Sequence, residues 1–100
     1  HLSVENMNKA IELVSEEFNI SIPEYTVVGF PYESFFAHKW YVACNDAIDI
    51  DKLRKRIDEH LRILNDDYAT ERDSALKDVF LEKLPEEKFM KFIKMKKKLK

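Results

Sequence analysis

Residues 50–64, IDKLRKRIDEHLRIL, place Ile50, Leu53, Ile57, Leu61 and Leu64 at spacings of 3, 4, 4 and 3. That is the period of a helix with one apolar stripe. The segment lies between two runs of strand character, residues 35–44 and 79–81, and this position constrains the fold more than any other feature. A helix that leaves one strand and returns to another favours a right-handed crossover. The chain is therefore expected to build a small mixed sheet with helices packed on it.

The flanking segments fit the same plan. Ser3 is a good N-cap, with Leu2 and Met7 placed as a hydrophobic staple. Val4, Met7, Ala10, Ile11, Val14 and Phe18 then form one face of a helix over residues 4–18. Asn19 is a suitable stop, and Pro23 prevents continuation. Residues 24–30 are rich in β-branched and aromatic side chains and predict a strand, residues 31–34 a turn, and residues 35–44 a second strand paired as an antiparallel hairpin. In that second strand Phe36, His38, Trp40, Val42 and Cys44 share one face, while Phe35, Ala37, Lys39, Tyr41 and Ala43 share the other.

After a turn at Asn45-Asp46, Asp49 caps the long helix. Asp51–Lys55 and Asp58–Arg62 are i,i+4 pairs expected on its solvent side, worth about 0.3 kcal/mol each. Asn65-Asp66-Asp67 interrupts that helix, and residues 68–73 predict a short one. A third, shorter strand is centred on Val79-Phe80-Leu81. Pro85 opens a final helix with Glu86 and Glu87 at its start, lysines at its end, and Phe89, Phe92 and Ile93 as its apolar stripe. The expected fold class is α+β, of α/β-type two-layer form, with about three strands in the order α-β-β-α-α-β-α.

One hundred residues, 45% apolar and 36% charged, suit a single globular domain over residues 1–100. No apolar run approaches the roughly 18 residues of a membrane span, and the start lacks the pattern of a signal peptide. A lone Cys44 cannot close an internal disulfide. A reducing, cytoplasmic setting is expected. The charge is uneven: 11 basic and 19 acidic residues leave −8 over residues 1–90, and six lysines over residues 91–100 add +6. An acidic body with a basic tail argues against a nucleic-acid surface spread over the domain, and neither a nucleic-acid nor a membrane partner is expected.

Catalytic signatures are missing. The three histidines show no metal-ligand spacing, no serine sits in a GxSxG elbow, and the only glycine, Gly29, forms no phosphate loop. No set of nucleophile, base and oxyanion donors assembles, so no catalytic residue and no metal ligand is assigned.

One pattern is more specific. Asn65, Tyr68 and Arg72 stand at intervals of three and four, preceded by Leu64. Upstream lies His38-Lys39-Trp40-Tyr41-Val42; downstream, the strand at Val79 to Leu81 leads to Phe89. In order and spacing these residues resemble the small C-terminal domain of the auxin-responsive (Gretchen Hagen) acyl acid–amido synthetases, a branch of the adenylate-forming enzymes. The resemblance covers most of the chain. Two departures accompany it. Leu84-Pro85-Glu86-Glu87-Lys88 stands where the family commonly has a glycine, and the family's later glycine–glutamine–x–lysine–x–proline–arginine-like segment would begin where this chain stops, at Lys100. The family's adenylate-reaching lysine therefore has no counterpart, and its role does not pass to Lys96, Lys97, Lys98 or Lys100.

The resemblance implies a lid of a larger enzyme. The parent would use ATP and magnesium to turn a carboxylic acid into an acyl-adenylate, then pass the acyl group to an amine or amino acid. The lid would swing between the two steps and be inactive alone, its partner being the missing N-terminal adenylation domain of the same chain. Such a lid is expected to carry an apolar patch for that domain to cover. Of the matching residues, Tyr68 is expected to pack its ring on the core with its hydroxyl at the surface. Arg72 is expected to pair with Asp67, Asp73 or a nearby carbonyl. His38 and Trp40 are expected in sheet packing, with Trp40 a domain contact if it lies on that side. A competing expectation is a free-standing interaction domain whose C-terminal lysines hold an anionic partner.

Overall fold

The computed structural model describes residues 2–98, with side chains through residue 95. The chain runs α1 (Val4–Phe18), β1 (Glu24–Tyr32), β2 (Phe35–Ala43), α2 (Ile50–Leu64), α3 (Asp66–Asp73), β3 (Leu76–Leu84) and α4 (Glu86–Lys98). This is the expected α+β domain, with four helices on a three-stranded mixed sheet. The helix boundaries follow local chemistry. Ser3 Oγ accepts the Asn6 N–H at 3.1 Å, and Asp49 Oδ1 accepts the Lys52 N–H at 3.2 Å. Each cap satisfies a donor that the first turn leaves open. Asn19 ends α1 in the left-handed region at φ 53°, where its N–H reaches Glu16 O.

β1 and β2 form the antiparallel hairpin, from Glu24 opposite Ala43 to Tyr32 opposite Phe35. The expected turn at residues 31–34 shrinks to Glu33-Ser34, because Pro31 and Tyr32 continue the strand. β1 lies at the side of the sheet, where a residue without an N–H is tolerated. Through α2 and α3 the chain crosses to β3, which pairs parallel to β2. β3 is longer than expected, nine residues rather than a short core of three. Its register shifts between Phe36 and Ala37: Phe36 faces Leu76, but Ala37 faces Asp78. The extra residue, Lys77, lets Leu76 and Val79 both turn to the same buried face. At this bulge the Val79 N–H is taken by Asp78 Oδ1 at 2.8 Å.

The core fills the space between the sheet and α1–α3. Ala10, Ile11 and Val14 meet Trp40 and Val42, Leu53, Ile57 and Leu61, Tyr68, and Leu76 and Val79. These are the two main layers. α4 returns behind one end of the sheet. Asn45 fixes its start, accepting the Glu86 N–H at 2.9 Å and donating to Glu86 Oε2 at 2.8 Å. Phe89 is then buried, and Phe92 lies 5.0 Å from Tyr41, ring centre to ring centre. Among the described residues no helix is long and apolar enough to cross a membrane.

Candidate functional site

Tyr68 and Arg72 meet on Asp58, a residue that its sequence context places on the solvent side, and Asn65 caps the helix that carries them. Asn65 has extended backbone (φ −148°), which stops α2 and starts α3. Its N–H closes the last turn of α2 on Leu61 O at 3.0 Å. Its side-chain oxygen accepts the Tyr68 N–H at 2.9 Å, and its amide nitrogen donates to Asn6 Oδ1 on α1 at 2.8 Å. One asparagine therefore sets the angle between two helices and ties both to a third.

Tyr68 and Arg72, one turn apart on α3, present the same face to α2. The Tyr68 side chain is fully buried, and its hydroxyl, rather than reaching the surface as expected, donates to Asp58 Oδ1 at 2.5 Å because α3 folds back on α2. Arg72 Nε donates to the same oxygen at 2.9 Å and Nη2 to Oδ2 at 3.3 Å, while Nη1 donates to Leu76 O at 2.8 Å. Arg62 closes the ring, 3.5 Å from Asp58 Oδ2. Arg72 therefore pairs with Asp58 and a β3 carbonyl rather than with Asp67 or Asp73. Asp58, expected on the solvent side of α2, is largely buried, with 13% of its side chain exposed. Its position two turns before Asn65 was the available signal; what it faces is decided only when α3 folds back.

Burial by itself would raise the Asp58 pKa, but the hydrogen bonds from Arg72 and Tyr68 outweigh it, and the carboxyl is held below its ordinary 3.8. Burial and the Asp58 partner push the Tyr68 phenol far up, so it stays protonated and donating. These polar atoms use one another as partners, so the cluster works as a clasp joining α2, α3 and β3.

His38 and Trp40 lie elsewhere. Trp40 is in the core with no exposure, its ring stacked on Tyr25 at 5.4 Å, and it is not available as a contact for another domain. Its indole nitrogen and His38 Nδ1 are both buried without a hydrogen-bond partner among the described residues. His38 lines a groove of about 320 Å³ together with Met7, Gly29, Phe36 and Glu71. Burial lowers the His38 pKa, Glu71 opposes the shift, and Arg72 adds to it.

A second ionic group spans α1 and α2. Arg56 donates to both Glu17 oxygens, at 2.9 and 2.7 Å, and His60 Nε2 lies 2.9 Å from Oε1. Hydrogen bonds from Arg56 and then His60 lower the Glu17 pKa from its ordinary 4.5 to about 2. Cys44 is buried, its Sγ 3.8 Å from Asp46 O. Among the described residues no group of three or more histidine, cysteine, aspartate or glutamate side chains is placed to hold a metal. Of the C-terminal lysines, Lys91 and Lys94 are exposed on α4, with Lys91 3.6 Å from Glu87. The side chains of Lys96, Lys97 and Lys98, and Lys100 entirely, lie outside the described residues.

The back of the sheet holds a further group that the sequence motifs do not single out. Phe30 and Phe80, from strands on either side of β2, approach to 6.0 Å, and Tyr32 meets Phe80 at 5.5 Å. They close over Ala37, which has no exposure. Beside them Phe35 is 50% exposed, with Lys77 Nζ 4.3 Å above its ring. The alternation of Thr26, Val28, Phe30 and Tyr32 was the available signal.

Compared with family models, with curated proteins and with solved structures, the chain matches none.

Proposed function

We propose that this domain is the mobile lid of an ATP-dependent acyl acid–amido synthetase of the adenylate-forming type. The observation that supports the reading is the aromatic back face. A lid that alternates between two docked positions needs an apolar surface that a second domain covers. Phe30, Tyr32, Phe35 and Phe80 form such a surface beside the end that α4 leaves open, and Met90 and Met95 are exposed on α4 itself. The Asn65–Tyr68–Arg72 motif then has a mechanical part: it locks α3 to α2 and β3, so the domain moves as one rigid piece. Closure of a rigid lid keeps water from a hydrolysable acyl-adenylate and brings new groups to the second half-reaction.

The described residues do not suit a metal site, so this reading leaves ATP and magnesium to the adenylation domain and takes no step through them. The first test is the mass of the native protein in its source cells, detected with an antibody raised against this chain. A band several-fold heavier than 11.9 kDa, with acid-dependent pyrophosphate exchange by the purified protein, is the expected result. A native protein near 11.9 kDa overturns the reading and turns attention to anionic partners of the C-terminal lysines.

A further inference from the structure

The groove beside His38 combines three features that packing does not account for. The first is the glycine. Gly29 is the only glycine of the chain and lies directly opposite His38 in the hairpin. Its φ is not positive, and a Cβ added there meets nothing closer than His38 Cδ2 at 3.8 Å, an ordinary contact. Neither backbone conformation nor crowding requires glycine here, and in a strand it is a poor choice. Its structural effect is to leave the imidazole uncovered on the β1 side.

The second feature is His38 itself. Its Nδ1 is buried with no hydrogen-bond partner among the described residues, which is unfavourable in a protein interior. The third is Glu71. Glu71 lines the same groove, and its carboxylate, whose charge acts on His38, has no hydrogen bond or ion pair with another described residue. The nearest cation in sequence, Arg72, is committed to Asp58 and to Leu76 O. The remaining wall is apolar, with Met7, Val27 and Phe36, and the Phe36 ring lies 5.8 Å from His38.

From this geometry we infer that the groove binds a small organic ammonium compound, its apolar ring against Phe36, Val27 and Met7 and its protonated amine on Glu71 beside His38. The charge fits: a carboxylate with no ion-pair partner among the described residues, at an apolar groove, favours a cation that carries its own hydrophobic body. The volume, about 320 Å³, is at the small end of ligand pockets and suits a compound with a single ring. The inference concerns this chain alone and holds whether or not the domain is a lid.

The test is an NMR titration of the isotope-labelled 100-residue chain with phenethylamine, in parallel with 2-phenylethanol and phenylacetate as neutral and anionic controls. The expected result is saturable movement of the Gly29 amide and the His38 ring signals, with a Kd on the order of 1 mM for the amine. Binding of the alcohol is expected to be at least about tenfold weaker, and phenylacetate to leave the spectrum unmoved. Glu71→Gln should remove the preference for the amine over the alcohol. Gly29→Val should fill the groove and abolish all binding, while the remaining spectrum and the thermal midpoint stay the same or improve. Three outcomes would each overturn the proposal: no saturable movement, equal response to amine and phenylacetate, or binding that persists in a folded Gly29→Val protein.

Discussion

Trp40 and Tyr41 are neighbours in β2 and point to opposite sides of the same sheet. Trp40 enters a space closed by α1, α2 and α3, has no exposure, and touches aliphatic side chains and Tyr25. Tyr41 enters a space that α4 covers only at one end, where it meets Phe92, with Lys39 Nζ 4.9 Å from its ring centre. The front face is completed by the chain itself. The back face is aromatic, carries charge beside its rings, and continues past α4 into Phe30, Tyr32 and Phe80. The difference separates residues that hold the fold from residues that remain available for contact, although both sets are large and apolar.

The strongest way to break this comparison is to truncate both neighbours. Trp40→Ala is expected to lose about 4 kcal/mol, a large part of the stability of a domain of this size. Tyr41→Ala should lose about 1–2 kcal/mol. Urea midpoints measure both, and equal losses would mean that α4 seals the back face as fully as α1–α3 seal the front. Next in size is the clasp. Asp58→Ala leaves the Tyr68 hydroxyl and the Arg72 guanidinium buried without their partner and should cost about 3 kcal/mol; Tyr68→Phe removes one hydrogen bond and should cost about 1 kcal/mol.

On the back face, Phe80→Ala is expected to cost about 1 kcal/mol, since its ring contacts lie at a partly open surface. The same change should lower binding of a fluorescent hydrophobic dye, which Trp40→Val, if folded, should not. The smallest effect is electrostatic and lies at the rim of the front face. Glu17 has a folded pKa near 2 against an ordinary 4.5. Its contribution is therefore complete above about pH 4.5 and is lost as pH falls toward 2. Asp58, also depressed, loses its contribution as pH falls below 3.8. Acid unfolding of Glu17→Gln, followed by circular dichroism, should show a shallower loss of stability through this window than the parent chain shows.

Much of the front face is legible in the sequence. The caps at Ser3 and Asp49 and the spacing of Leu53, Ile57 and Leu61 place α1 and α2 with the observed boundaries, because local hydrogen bonds and the helix period decide them. The hairpin and crossover follow from element order. The full length of β3 is hidden because Lys77, Asp78, Glu82 and Lys83 carry no strand signal; they are extended because β2 supplies a parallel partner on one side. α3 begins two residues earlier than its sequence suggests, because Asn65 both breaks α2 and caps the next helix. Asp58 misleads for a different reason. It stands where the apolar and polar faces of α2 meet, and only the return of α3 makes that position interior. The groove at His38 joins α1, the hairpin and α3, so no single segment announces it.

The bulge in β3 also bears on how this protein behaves among copies of itself. An open strand offers a row of unpaired groups on which another chain can build, and a sheet ordered β1-β2-β3 has two such strands. On β3 the Asp78 carboxylate occupies the Val79 N–H, and the irregular register around Lys77 spoils a straight template. On β1, Pro31 has no N–H to offer. The feature that turns Leu76 and Val79 toward the core therefore also denies a foreign strand its starting point, which favours a chain that stays separate when concentrated.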